Sequence, residues 1–190
     1  MSLVDPDLPL IEALQAGNEP ALNKLIDRHR EPLVRFVYRY LHDEVAARDV
    51  VQETFVRVYF NAKKFQPRSL VKTWLYAIAI NLASDQGRKL AKRNREVSLN
   101  APGLDDGPLL ELADSGPIPC DTAGRRDRFG ALQQAIDQLP DKLKAALILF
   151  SLEGHSQSEV ADILGTTVKT VETRVYHAKE KLRLLLDPTA

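Results

Sequence analysis

The chain has 190 residues, 44% apolar and 27% charged, the ordinary proportions of a soluble globular protein with room for one large or two small domains. No apolar run approaches the roughly 18 residues of a bilayer span, and the acidic start MSLVDPDLPLIEAL is unlike a basic secretory signal, so a cytoplasmic protein is expected. Cys120 stands alone and His29, His42, His155 and His177 show no ligand spacing, which rules out an internal disulfide and argues against a metal or other cofactor.

The zero net charge conceals an asymmetry. Residues 1–20 carry four acids and no base, residues 21–95 carry 16 bases against 7 acids, and residues 96–124 carry six acids and no base. A basic body followed by an acidic tether suits a polyanion for the first and a basic partner for the second.

In chain order, residues from about 7 to 95 read as a helical domain. A helix beginning near Ala21 carries Val34, Val37, Tyr38 and Leu41 on one face, and a second, from about Asp43 to Ala62, turns Ala47, Val50, Val51, Phe55 and Val58 inward. Phe65–Ser69 forms a break, because Pro67 lacks an amide donor and restrains Gln66. A third helix runs from about Val71 to Leu90 around the apolar block Trp74–Ile80, in which Trp74 is assigned to the core. From Asn94 to Arg128, prolines and glycines interrupt sparse apolar text, as in an extended tether. Helical text resumes at Phe129. The boundaries expected are a helical domain at 1–95, a flexible linker at 96–128 and a second helical domain at 129–190, all-α with no alternating strand pattern.

The last domain ends in a helix-turn-helix pattern. Ser156 and Glu159 have capping-box spacing, Gly165 can stop a short helix in the left-handed region, and Thr167 is placed to cap the next. Val168, Val171, Val175, Ala178, Leu182 and Leu185 then form one apolar stripe. Lys169, Glu172, Thr173, Arg174, Tyr176, His177, Lys179 and Lys181 occupy the other faces, as on a helix laid in a DNA groove. Plain solvation of a hairpin also produces a charged outer face.

Ala47-Arg48-Asp49-Val50-Val51-Gln52-Glu53-Thr54-Phe55, Thr73-Trp74-Leu75-Tyr76 with Ile78, Ala79 and Asn81, and Leu139-Pro140, Glu159-Val160-Ala161 and Thr170–Arg174 follow one another in this order. Across nearly the whole chain they resemble the extracytoplasmic-function sigma factors of the sigma-70 class. The resemblance implies a non-enzymatic promoter-specificity factor that joins core RNA polymerase, meeting its β′ coiled coil and β subunit, and binds promoter DNA. It further implies control by an anti-sigma factor, which could hold the protein at a membrane without its inserting there.

It assigns Asp49, Gln52 and Glu53, at i, i+3 and i+4 on one side of a helix, to the β′ coiled coil. Gln66, Arg68, Ser69 and Asn81 belong to a pocket for a flipped −10 base. Arg88, Lys89, Lys92 and Arg93 are assigned to upstream duplex phosphates, beyond what the helix dipole needs. Lys169, Thr170, Glu172, Thr173, Arg174, Tyr176, His177 and Lys179 are assigned to the −35 element, with Thr173, His177 and Glu172 toward base edges and Lys169, Arg174 and Lys179 toward phosphate. Pro67 stands where the family has glycine, and Glu172 and His177 where it often has arginine, so the family's promoter sequence does not carry over. The competing readings are a stand-alone helix-turn-helix regulator and a polymerase adaptor that does not read DNA. The first needs a dimer interface or receiver domain, and residues 1–95 show neither heptads nor a parallel-sheet pattern.

Overall fold

A computed structural model of the chain describes residues 5–100 and 123–186, and every regular element among them is helical. The α-helices are α1 Leu8–Gln15, α2 Pro20–Leu41, α3 Glu44–Asn61, α4 Val71–Asn100, α5 Ala123–Asp137, α6 Asp141–Leu147, α7 Gln157–Leu164 and α8 Val168–Leu186. A 3-10 turn, Ala62–Lys64, extends α3, and a π-helical turn, Ile148–Leu152, extends α6.

Local chemistry sets the breaks in the first half. Pro20 opens α2 at a position where a missing amide costs nothing. His42 ends it at φ 55°, its amide donating to the Tyr38 carbonyl at 2.8 Å. Asp43 then starts α3 by accepting from the Ala46 amide at 2.9 Å. Leu25, Leu33, Phe36 and Val37 of α2 meet Val51, Phe55 and Val58 of α3 and Val71, Leu75 and Tyr76 of α4 in a dry core. There the Phe36 and Tyr76 rings lie 5.1 Å apart. In the second half, α6 and α7 pack on α8, with Ala145, Val160 and Ile163 buried in one core with Val171, Val175 and Ala178, and Ile148 and Leu149 of the π turn are buried in the same core.

Several sequence expectations shift. Tyr38, expected on the buried face, is 46% exposed, because one residue past buried Val37 is a 100° step toward the helix edge. Val168 and Leu185 fall at the two ends of α8, where no neighbour covers them, and are exposed. Helix α4 does not stop near Leu90 but continues to Asn100. The added text is rich in Arg, Lys and Glu, which favour helix without needing a core. Of the expected tether, 96–100 closes α4 and 123–128 opens α5, while 101–122 lies outside the described residues.

The two halves touch. Helix α7 lies against α4 and the π turn against α2. Arg39 donates to Glu153 at 2.5 Å, His42 meets Gln133, and the Lys144 ammonium sits 5.1 Å above the Tyr40 ring. His155 is buried edge-on to Tyr76 at 4.6 Å.

Candidate functional site

Helix α8 is delivered by a tightly capped hairpin. The Ser156 hydroxyl accepts from the Glu159 amide at 3.2 Å, while the Glu159 carboxylate accepts from the Ser156 amide and hydroxyl at 2.8 Å. Burial pushes the Glu159 carboxyl up, but the two Ser156 bonds, with His155 and Lys72 nearby, outweigh it and hold the group below its ordinary value. Gly165 stops α7 at φ 58°, a conformation that a side chain would strain. Thr167 starts α8 by accepting from the Thr170 amide at 3.2 Å.

With Val171, Val175 and Ala178 buried, Lys169, Thr173, Tyr176, His177 and Lys179 are exposed, and Thr170, Glu172 and Arg174 are half-buried. The Thr173 hydroxyl donates to the Lys169 carbonyl at 2.9 Å, leaving its oxygen as an acceptor, and Lys169 pairs with Glu172 at 3.3 Å. Tyr176 and His177 project side by side, their rings 5.5 Å apart.

On the other half, the chain leaving α3 turns through the 3-10 segment and crosses to α4. The Phe65 ring packs at 4.8 Å on Trp74. Beside them opens a cavity of about 330 Å³ lined by Arg57, Asn61, Lys64, Phe65, Trp74, Ile78 and Asn81. Trp74 is therefore half-buried: one side packs on the core and the ring also walls the cavity. Asn81 lines it as expected. Gln66, Arg68 and Ser69 sit on the adjoining loop and are not among its walls.

Sequence reasoning missed Arg57, Asn61, Lys64, Phe65 and Ile78. A signal existed, since Trp74, Ile78 and Asn81 fall at i, i+4 and i+7 on one face of α4. The Asn61 amide group donates to the Arg57 carbonyl at 2.8 Å, so its side-chain oxygen remains as an acceptor.

Further along α4, Arg88, Lys89, Lys92 and Arg93 are all exposed, and Arg88 pairs with Asp85. On α3, Asp49, Gln52 and Glu53 are exposed together, with Glu53 paired to Arg57 at 2.9 Å. Gln52 also borders a larger groove between α2 and α3, about 580 Å³, floored by Leu22, Ile26, Val51 and Phe55. Val56, Tyr59 and Phe60 of its wall are exposed, Phe60 by 73%.

The chain thus presents a capped helix-turn-helix, a cavity of about 330 Å³ beside Phe65 and Trp74, and an apolar groove of about 580 Å³ between α2 and α3. The Sigma-70 region 2 family model matches residues 25–93 and the Sigma-70, region 4 model matches residues 129–182. The chain belongs to the sigma-70 family. It is 31% identical over 188 residues to the RNA polymerase sigma-H factor of Pseudomonas aeruginosa, covering 97% of this chain and 95% of that one. It is 30% identical over 174 residues to the ECF RNA polymerase sigma factor SigW of Bacillus subtilis, covering 91% and 92%.

Among solved structures it is similar to CnrH, in complex with the cytosolic domain of CnrY. The TM-score there is 0.70 with 25% identity, covering 98% of this chain and 100% of that one. The fold is also that of the Bartonella quintana sigma factor RpoE, solved with the anti-sigma factor NepR, at a TM-score of 0.58 and 23% identity, covering 88% and 98%.

This is thus an extracytoplasmic-function sigma factor, a transcription initiation factor that joins RNA polymerase and promoter DNA. The region 2 match falls within α2 to α4, and the region 4 match within α5 to α8. Both regions in one chain decide against a stand-alone regulator. In this sigma factor the contact between the two regions holds His155, whose Nε2 is buried with no hydrogen-bond partner among the described residues. Burial pushes its pKa down, Lys72 lowers it further, and Glu159, 4.0 Å from Nδ1, opposes them. Tyr76 across from it is raised to about 12, by burial and then by the Glu153 charge.

Proposed function

We propose that each surface described above serves one step of promoter recognition. The observation that carries the reading is the cavity between Phe65, Trp74 and Ile78, with Asn61 and Asn81 at its edge. Two aromatic rings and an aliphatic side chain give apolar walls to an unstacked −10 base, and the two amides offer donors and acceptors to its edge. Gln66, Arg68 and Ser69 contact the strand around that base. Arg88, Lys89, Lys92 and Arg93 neutralise duplex phosphates upstream of it.

In the −35 major groove, Thr173, Tyr176, His177 and Glu172 face bases. Lys169, Thr170, Arg174 and Lys179 fix the register on the backbone. Asp49, Gln52 and Glu53 grip the β′ coiled coil, and the groove beside Gln52 receives its apolar residues. Domain boundaries at 1–95, 96–128 and 129–190 fit these roles, with region 4 also meeting the β subunit.

The packing of α7 on α4 requires the regions to part before they can span both promoter elements. Polymerase supplies the fixed separation that turns two weak contacts into one strong one. An anti-sigma factor holds the protein in check, as the complex of RpoE with the anti-sigma factor NepR suggests. No helix among the described residues is long and apolar enough to cross a membrane, so cytoplasmic residence, or tethering through such a partner, is the placement proposed.

The test is transcription by core polymerase plus this protein on a library of random promoters. Initiation from sites sharing two motifs at fixed spacing, with Asn81→Ala altering only the −10 motif, is the expected result. A complex that initiates nowhere, or an Asn81→Ala factor with the wild-type −10 motif, would overturn it.

A further inference from the structure

The loop between α3 and α4 is pinned from behind by the N-terminal segment. The Gln15 side-chain amide, at the last residue of α1, donates to the carbonyls of Ala62 at 2.9 Å and Phe65 at 3.3 Å. Those two carbonyls flank the 3-10 turn that carries Lys64 and Phe65 into the cavity wall. At the other end of the loop, Asp5 Oδ2 accepts from the Val71 amide at 2.6 Å and so caps the start of α4.

Asp5 is itself held. Its Oδ1 accepts from the Asp7 amide at 2.9 Å. Buried Asp7 is anchored on α2 by His29 Nε2 at 2.8 Å and by Arg28. Contacts from α2 through Asp7 and Asp5 thus reach the first residue of the helix that bears Trp74, Ile78 and Asn81. Neither Gln15 nor Asp5 lines the cavity.

The geometry points to Gln15 and Asp5 as positioning residues for −10 recognition: they fix the two ends of the loop so that the packed Phe65–Trp74 pair stands as one wall of the cavity. This rests on the cavity being the −10 base pocket. A cavity walled on one side by a loop tends to close unless the backbone behind that loop is held, because its lining gains contacts by collapsing inward. Both donors of the Gln15 amide are spent on loop carbonyls. A side chain of equal length without donors fills the same space and releases the loop.

The test uses holoenzyme assembled from core polymerase and the full chain. The promoter is one selected from the random library, with its −10 element replaced base by base. Gln15→Met, Asp5→Ala and the pocket variant Asn81→Ala are compared for strand opening, for base preference, for polymerase affinity and for thermal midpoint. Gln15→Met is expected to reduce opening by about tenfold, the worth of one to two neutral hydrogen bonds, and to flatten the preference at the inserted base. Polymerase affinity should stay unchanged.

Asp5→Asn, which keeps one acceptor oxygen, should recover part of what Asp5→Ala loses. If Asp5→Ala does not fold, Gln15→Met decides alone. A Gln15→Met factor with wild-type base preference overturns the inference, and so does one that loses polymerase binding in step with opening. If Asn81→Ala also keeps wild-type preference, it is the −10 pocket that fails; if only Asn81→Ala loses it, the pocket stands and the positioning role falls.

Discussion

Replacing Arg39 by alanine should part the two regions without unfolding either. Arg39 Nη1 donates across the contact to Glu153 at 2.5 Å and to the Leu152 carbonyl at 3.2 Å. The Glu153 side chain is only 10% exposed, whereas that of Arg39 is 41% exposed. Breaking a fully buried ion pair from one side costs about 3–5 kcal/mol, and losing an exposed one costs about 0–1 kcal/mol. A half-wet guanidinium over a nearly dry carboxylate falls between them, at about 1–2 kcal/mol, or a factor of roughly 5–30 in the ratio of packed to parted molecules.

Arg48→Ala is the control, because its pair with Glu44 joins neighbouring turns of α3 with both side chains more than half exposed. It should move nothing by more than about 0.5 kcal/mol. Dyes placed at Val45 of α3 and Leu184 of α8, both exposed, report the separation by energy transfer once Cys120 is replaced by serine. Arg39→Ala should lengthen the mean distance, and a cycle with Glu153→Gln should return a coupling above about 0.5 kcal/mol. An unchanged distance with no coupling would show that the apolar contacts of α4 with α7 hold the regions together unaided.

Ser156→Ala removes a cap and should destabilise the region 4 hairpin by about 1 kcal/mol, measured by denaturant titration and by weaker −35 duplex binding. Acidification should loosen the protein. His155 and His42 are held below their ordinary pKa mainly by burial, so the unfolded chain takes up protons first as pH falls below 6.5. Their contribution is full above that value and is lost as pH drops through the depressed folded values; His155→Leu should flatten the pH dependence of the midpoint. His177→Ala should change −35 base preference, while Lys179→Ala should weaken binding to every sequence and reduce its salt slope by about one. Asp49→Ala with Glu53→Ala should weaken polymerase binding while the thermal midpoint holds, because both carboxylates are exposed and the fold does not rest on them; unchanged affinity would remove the β′ assignment.

What the sequence made legible and what it did not divide along a physical line. Periodicity reports burial along one helix, so the inward residues of α3, from Ala47 to Val58, and the seat of α8 at Val171, Val175 and Ala178 could be placed in advance. Capping chemistry is equally local, and Ser156, Gly165 and Thr167 behave as their types require. The cavity is built by residues on two helices and the turn between them, so only its α4 members, 74, 78 and 81, share a sequence rhythm; Asn61 and Arg57 enter because α3 happens to end beside them.

The contacts between regions have no rhythm. Arg39 meets Glu153 across more than a hundred residues, and nothing in either neighbourhood marks the pair. Their chemistry nonetheless suits their task. For the proposed parting on polymerase, each Å² of apolar surface that the regions share in their common core costs about 25 cal/mol to expose, so polar contacts at the seam ease the balance. Here Arg39 with Glu153, His42 with Gln133 and Lys144 over Tyr40 supply polar groups that water or polymerase can satisfy in turn. Among the described residues, His155 Nε2 is buried at this contact with no hydrogen-bond partner. In the proposed parting of the regions, water would reach that nitrogen, and the cost of leaving it unpaired would count toward opening.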